Sequence, residues 1–80
     1  MRVAIHSIQK TLFDGTAEGL ICRTPQGQIT VLDHHVPLIT RITGPVTILA
    51  DGSMERNTIL LSAGTLEIRP ESEVIILEYA

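Results

Sequence analysis

Apolar and polar residues alternate along most of this 80-residue chain. The alternation has a period of two, as in a strand with one face toward a core, and no helix-length window shows a period of 3.6. The pattern predicts an all-β protein, a flattened two-sheet β-sandwich or barrel of about eight to ten short strands. The predicted strands cover residues 2–7, 11–14, 16–24, 28–32, 38–43, 46–50, 54–61, 65–69 and 73–79.

Glycine and proline mark the breaks between these strands. Asp14-Gly15 and Asp51-Gly52 are typical of hairpins, because glycine adopts positive φ without a steric penalty. Pro25-Gln26-Gly27 predicts a turn whose first φ is fixed by proline. Further breaks are predicted at Gly44-Pro45, Ala63-Gly64 and Pro70-Glu71-Ser72. With no linker or repeat between them, the strands predict a single domain over residues 1–80.

The last predicted strand is apolar on both faces. Its alternation predicts three inward and two outward side chains: Ile75, Leu77 and Tyr79 in the core, Val74 and Ile76 on the opposite face. Both faces should then be covered, either by edge loops or by a partner protein.

The composition of the chain limits the kinds of partner that it could bind. Six basic and nine acidic residues give a net charge of −3, and the scattered cations form no stripe that could follow a phosphate backbone. With Phe13 and Tyr79 as the only aromatic residues, bases have almost nothing to stack on, so we expect no nucleic-acid partner. The apolar runs fall far short of the roughly 20 residues that span a bilayer, so we expect no direct membrane insertion.

The candidate chemical groups do not combine into a site. His34 and His35 point to opposite faces of an extended chain, and only His6 and Cys22 remain to complete a zinc site that needs three or four convergent ligands. Cys22 is alone, which excludes an intramolecular disulfide. We therefore expect no metal and no cofactor.

Catalysis is not indicated either. Ser62, His35 and Asp33 have the residue types of a triad, but sequence neighbours rarely meet as base and orienting group, and Ser62-Ala63-Gly64 is not a nucleophile elbow. Glu71 and Glu73 beside a turn are typical of solvated charges. The residues predict a non-catalytic protein.

Four segments in the same order and spacing carry a family resemblance across nearly the whole chain. They are Leu12-Phe13-Asp14-Gly15, Pro25-Gln26-Gly27-Gln28-Ile29, Asp33-His34-His35-Val36-Pro37-Leu38 and Ser62-Ala63-Gly64-Thr65-Leu66-Glu67-Ile68. Together they resemble the N-terminal β-sandwich of the epsilon subunit of F-type ATP synthases. Three local departures are Asp33-His34 in place of the family's proline-glycine, Gln28-Ile29-Thr30 in place of a run with more glycine, and Ala63 and Thr65 in place of glycine and phenylalanine.

The resemblance implies two interfaces. One faces the gamma subunit and consists of His35, Val36, Pro37 and Leu38, with His35 and Pro37 on the family's histidine and second proline. The other faces the polar loops of the membrane c-ring and consists of Pro25, Gln26, Gly27 and Gln28. Because Gln28 stands where the family often has a carboxylate, this chain would lack one charged contact to the ring.

The implied function is that of a non-catalytic rotor subunit, peripheral on the cytoplasmic face of the membrane, which docks gamma onto the c-ring. Family members usually continue into a two-helix C-terminal arm that can bind ATP and brake the motor. The 80 residues stop before such an arm, naturally or because the longer protein was cut there, so we expect no such role.

Two other functions remain open. A biotinyl or lipoyl carrier domain has a similar length and architecture, but it presents its lysine at a hairpin tip, and the single lysine here is Lys10, between the first two predicted strands. A sandwich that binds a small ligand would need aromatic and polar pocket residues that this sequence does not offer.

Overall fold

The computed structural model describes residues 1–52 and 54–79. The described residues form eight strands: β1 (Arg2–His6), β2 (Thr11–Thr16), β3 (Gly19–Thr24), β4 (Gly27–Leu32), β5 (Leu38–Leu49), β6 (Arg56–Ile59), β7 (Ala63–Arg69) and β8 (Glu73–Glu78). The strand order is β2-β1-β8-β7-β5-β3-β4, with β6 paired to β5. Only β1 and β8 pair in parallel. The all-β prediction is confirmed, and the strands belong to one open sheet.

Strand β5 connects the two halves of that sheet. Its first half pairs with β7 from Leu38 to Thr43. Its second half pairs with β6 and β3, and the pairing with β3 extends back to Thr43. The register against β3 shifts in the middle of this twelve-residue strand, between the pairs Ile21↔Thr47 and Arg23↔Thr43, and such a bulge bends a strand. The strand therefore bends, and Gly44 supplies the bend with a φ of 75°. Bending β5 turns one sheet into two packed layers.

The prediction of a strand break at Gly44-Pro45 is therefore wrong. The predicted strands 38–43 and 46–50 are one strand with a kink, because β3 pairs with β5 on both sides of the irregularity, at Arg23↔Thr43 and Ile21↔Thr47. A local bulge of this kind bends a strand and leaves the flanking pairs intact.

The core lies between the two layers. Its buried side chains are Val3, Ile5, Leu66, Ile68, Val74 and Ile76 from one layer and Leu20, Cys22, Val31, Val46 and Ile48 from the other, with Ala17, Ile42 and Leu61 at the junctions. All of these are at most 7% exposed. Burial of so many aliphatic groups stabilises the small sandwich.

The prediction of which side chains in the last strand point into the core is wrong. Val74 and Ile76 point into the core, while Leu77 is 53% exposed and Tyr79 is 47% exposed. The register with β7 decides the facing, because Val74 lies opposite buried Ile68 and Ile76 lies opposite buried Leu66. The outer face of this layer is consequently uncovered in the described structure.

The turn predictions have mixed outcomes. Pro25-Gln26 joins β3 to β4, Gly52 adopts a φ of 66° between β5 and β6, and residues 70–72 join β7 to β8, all as predicted. Ala63-Gly64 does not form a break, because both residues belong to β7.

The prediction of a hairpin turn at Asp14-Gly15 is also wrong. These two residues lie within β2, opposite Ala4 and Val3 of β1. The chain reverses earlier, at residues 7–10, where the Ser7 hydroxyl oxygen accepts hydrogen bonds from the backbone N–H groups of Gln9 and Lys10. A serine side chain that binds the backbone two and three residues later is a turn device in its own right.

Candidate partner interfaces at opposite ends of the sandwich

The β3–β4 hairpin carries the segment predicted to face the c-ring. Thr24 and Gly27 are the last paired residues, so the tip consists of Pro25 and Gln26. The Thr24 hydroxyl donates to the Gly27 carbonyl at 2.9 Å and accepts from the Gln26 N–H at 3.2 Å. With φ fixed at Pro25 and a φ of 117° at Gly27, the tip is a stiff, exposed turn.

The segment predicted to face gamma begins with a tight turn between β4 and β5. The His35 N–H donates to the Leu32 carbonyl at 3.2 Å, and His34 has a φ of 62°. A positive φ at the third of four turn residues is the arrangement of a type II turn, for which proline and glycine are favoured at the two central positions. Asp33 and His34 thus keep the geometry that a proline-glycine pair would favour.

His35 is fixed by a local contact. Its Nδ1–H donates to the Val36 carbonyl at 2.8 Å, which assigns the proton to Nδ1 and leaves Nε2 as the acceptor of the neutral ring. His35 is half-buried, whereas Val36 is 70% exposed and Ile39 is 69% exposed. The segment therefore presents an oriented imidazole beside apolar surface.

A shallow groove borders this segment. Pro37, Leu38 and Ile39 form one wall, and the end of β7 with Pro70 forms the other. Arg69 lies on the rim, where its guanidinium is 3.2 Å from both the Glu67 and the Glu73 carboxylates. The hydrogen bond to Glu67 raises the pKa of Arg69. The charged side chains at the groove are paired with one another, and the remaining lining residues are apolar.

Ser72 of the β7–β8 hairpin contacts the turn from a distance in sequence. Its Oγ accepts a hydrogen bond from the His34 N–H at 3.3 Å and lies 3.4 Å from His34 Nδ1. The Ser72 hydroxyl also donates to Asp33, which lowers the pKa of that carboxyl. Sequence reasoning assigned Ser72 only to a turn and missed this contact, since no local pattern signals a pairing over 38 residues.

The two predicted interfaces lie at opposite ends of β4. The hairpin tip precedes Gly27 and the tight turn follows Leu32, so a strand of six residues, about 17 Å long, separates them. The structure therefore keeps the two candidate surfaces apart on one rigid body.

A third exposed surface is the outer face of the layer that contains β8. Ile39 and Ile75 both lie opposite Glu67, and Leu77 lies opposite Thr65. Next to them are Tyr79, whose hydroxyl is hydrogen-bonded to Thr65, and Ile8, which is 76% exposed. This row of aliphatic side chains is more apolar than an ordinary solvent-facing sheet surface.

The remaining sequence candidates are not brought together. The Ser62 backbone N–H binds Glu78, His6 Nδ1 contacts the Thr11 hydroxyl at 3.2 Å, and burial raises the pKa of Cys22 to about 11. Within residues 1–52 and 54–79, no three His, Cys, Asp or Glu side chains are grouped so that they could hold a metal ion. The described part of the chain contains no helix able to cross a membrane.

Comparison with known proteins identifies the family of this chain. The family model for the beta-sandwich domain of the ATP synthase delta/epsilon chain matches residues 1–80. The chain belongs to this family. The ATP synthase epsilon chain of Laribacter hongkongensis is 32% identical over 81 residues, and the match covers all of this chain and 58% of that protein. The epsilon chain of Brevibacillus brevis is 33% identical, with 61% of its length covered. The resemblance predicted from the four sequence segments is confirmed, and the chain spans about three-fifths of the length of these epsilon relatives.

Solved structures show the same fold. A chain of the mitochondrial ATP synthase of Euglena gracilis, solved by cryo-EM as an OSCP/F1/c-ring assembly, superposes with a TM-score of 0.87. It is 15% identical, and the match covers 95% of this chain and 48% of the other. A chain from the central stalk and c-ring of the Tetrahymena thermophila mitochondrial ATP synthase superposes with a TM-score of 0.80. It is 15% identical, and the match covers 100% of this chain and 63% of the other. The fold is therefore shared with chains that are only 15% identical in sequence.

Proposed function

We propose that this chain is a non-catalytic rotor subunit of an F-type ATP synthase, which docks the gamma subunit onto the membrane c-ring. The observation that carries the proposal is the match of the family model to the whole chain. Two exposed surfaces at opposite ends of a stiff sandwich suit a part that links two partners. In this position the chain is peripheral to the membrane, on its cytoplasmic face.

The gamma interface in this proposal is formed by His35, Val36, Pro37 and Leu38. Three features support it: the segment is held in a defined turn, it exposes aliphatic side chains, and it borders the apolar groove between β5 and β7. A permanent interface is more apolar at its centre than ordinary protein surface. The outer face with Ile75 and Leu77 is continuous with this region and offers additional apolar area.

The c-ring contact in this proposal is formed by Pro25, Gln26, Gly27 and Gln28. Gln26 and Gln28 are exposed polar groups on a hairpin tip that is held by the Thr24 hydroxyl. A stiff polar tip fits the polar loops of a ring, because contact then requires little ordering of the hairpin. Gln28 supplies an amide where a carboxylate would add a charged contact.

The mechanical role follows from the fold. Rotation of a ring is passed to gamma only if the connecting part resists deformation, and here seven strand pairings and a core that spans both layers provide that stiffness. Torque transmission requires buried contact and rigidity, and it does not require a reactive side chain.

The proposal is tested by capturing partners from solubilised membranes of the native host, with this chain as tagged bait. Identification by mass spectrometry should recover gamma and the c-ring subunit. The matched control is a His35→Glu bait, which should lose gamma. Recovery of a carboxylase or dehydrogenase complex would contradict the rotor function, and so would the absence of both gamma and the c-ring subunit.

A further inference from the structure

The hydroxyl of Ser72 joins two loops that are far apart in sequence. A serine hydroxyl has one donor hydrogen and two acceptor lone pairs. Its oxygen accepts a hydrogen bond from the His34 N–H at 3.3 Å and lies 3.4 Å from His34 Nδ1. Hydrogen bonding by the same hydroxyl lowers the pKa of the Asp33 carboxyl. One side chain thus contacts two consecutive residues of the β4–β5 turn.

Both sides of this contact have unfavourable backbone geometry. His34 has a φ of 62° and Ser72 has a φ of 58°, and Glu71 beside it has a φ of 67°. Left-handed backbone is disfavoured for residues with a side chain and persists where the surroundings hold it in place. In the β4–β5 turn, the contacts from Ser72 act on the strained residue itself.

The residues that Ser72 contacts occupy the two central positions of the β4–β5 turn. Proline and glycine at positions 33 and 34 would set a type II turn through the chain itself. Asp33 and His34 lack that intrinsic preference, but unlike proline and glycine they provide a carboxylate and an imidazole that Ser72 can bind. The hydrogen bonds therefore supply a conformational constraint that the local sequence does not.

We propose that Asp33, His34 and Ser72 form a polar clasp that holds residues 33–38 ready to dock, and that Ser72 is a positioning residue for the gamma interface. The inference rests on the proposed function, because it takes His35 to Leu38 as the docking segment. A segment ordered before binding loses less conformational entropy on binding, so the clasp raises affinity without touching the partner.

The test compares two replacements at position 72. Ser72→Gly removes the hydroxyl and accepts the φ of 58° without strain, so any loss comes from the missing hydrogen bonds. Ser72→Asn keeps a donor and an acceptor and tolerates left-handed backbone, so it should restore the clasp. Glu71→Gly is the matched control, because it makes the same backbone change one residue earlier at a side chain with no described contact to the turn.

The first measurement uses the isolated chain. In Ser72→Gly, hydrogen exchange of the His35 amide should accelerate by roughly 3- to 10-fold, the value of a lost hydrogen bond. Exchange should stay near the native rate in Ser72→Asn and Glu71→Gly. Equal exchange rates in Ser72→Gly and the native chain would overturn the clasp.

The second measurement titrates each folded variant against gamma. Ser72→Gly should weaken gamma binding by roughly 3- to 10-fold, as for hydrogen exchange. Ser72→Asn should bind gamma with near-native affinity. If Ser72→Gly binds normally while His35→Glu binds poorly, the positioning role is wrong and the proposed function stands. If neither change affects gamma binding, the docking segment itself is wrong, and the inference falls with it.

Discussion

At the scale of single residues, His35 is the side chain that the sequence singled out most directly. The structure fixes its ring by the 2.8 Å hydrogen bond to Val36, and the exposed aliphatic residues Val36, Leu38 and Ile39 follow it in the chain. An oriented, half-buried imidazole in an apolar setting is suited to contact with another protein surface. Its assignment to the gamma interface stays a prediction.

Replacing His35 with glutamate should weaken gamma binding by at least about tenfold, because a carboxylate would be buried in an apolar contact without a partner. Thermal unfolding should be little changed, since the side chain lies outside the core. Isothermal titration against gamma measures the effect. Asn57→Glu, an equal charge change on exposed β6, should bind normally, and a native affinity for His35→Glu would refute the placement.

Asp33 gives a prediction about pH. Because the Ser72 hydroxyl lowers the pKa of this carboxyl, the interaction stabilises the folded chain at neutral pH and is lost once pH falls below the ordinary value of 3.8 and through the folded-state pKa. An NMR titration should show the Asp33 pKa moving up toward its ordinary value in Ser72→Gly. An identical titration curve in both proteins would show that the hydroxyl does not bind the carboxylate.

At the scale of strands and turns, short-range signals in the sequence predict some features and miss others. The turns at Pro25-Gln26 and Gly52 follow from residues that set φ locally. Asp14-Gly15 has the same composition as a hairpin, yet its pairing with β1 keeps it within a strand. Local propensity fails where the partner strand, rather than the segment itself, decides the conformation.

Which side chains of β8 point into the core could not be predicted, for a related reason. Val74, Ile75, Ile76 and Leu77 are all aliphatic, so a period of two cannot tell which pair belongs inside. The register against β7 settles the question, and register is a long-range property. The Ser72 contact to the β4–β5 turn was likewise out of reach, because it joins residues 38 positions apart.

Gly64 illustrates how closely β7 and β8 approach. A Cβ built there would lie 2.4 Å from the Leu77 carbonyl oxygen, and a backbone atom cannot move aside without disturbing the pairing of the two strands. Gly64→Ala should therefore lower the free energy of unfolding by about 3 kcal/mol. The measurement is a urea denaturation series at constant temperature.

Gly15→Ala is the control for this prediction. Gly15 also lies in a strand, but its added Cβ would meet only the Phe13 ring at 3.5 Å, which is an ordinary contact. This change should alter stability by less than about 1 kcal/mol. Equal effects of the two substitutions would mean that the close approach of β8 to Gly64 does not constrain the fold.

At the scale of the whole molecule, the separation of the two candidate surfaces has an energetic consequence. The hairpin tip and the tight turn are connected by β4, a strand about 17 Å long, and no hydrogen bond or ion pair joins them among the described residues. Effects of substitutions more than about 10 Å apart usually add. The chain should therefore bind gamma and the ring as two independent contacts on a stiff connector.

Gln28→Glu combined with His35→Glu tests this independence. Gln28→Glu restores a carboxylate to the hairpin and should strengthen association with the c-ring by up to about fivefold at low salt, the upper range for an exposed ion pair. High salt should remove the gain, because exposed charges are screened. Gamma affinity should not change in the single variant. In the double variant the two free-energy changes should add to within about 0.5 kcal/mol, whereas a larger coupling would show that docking of gamma reshapes the ring-facing hairpin.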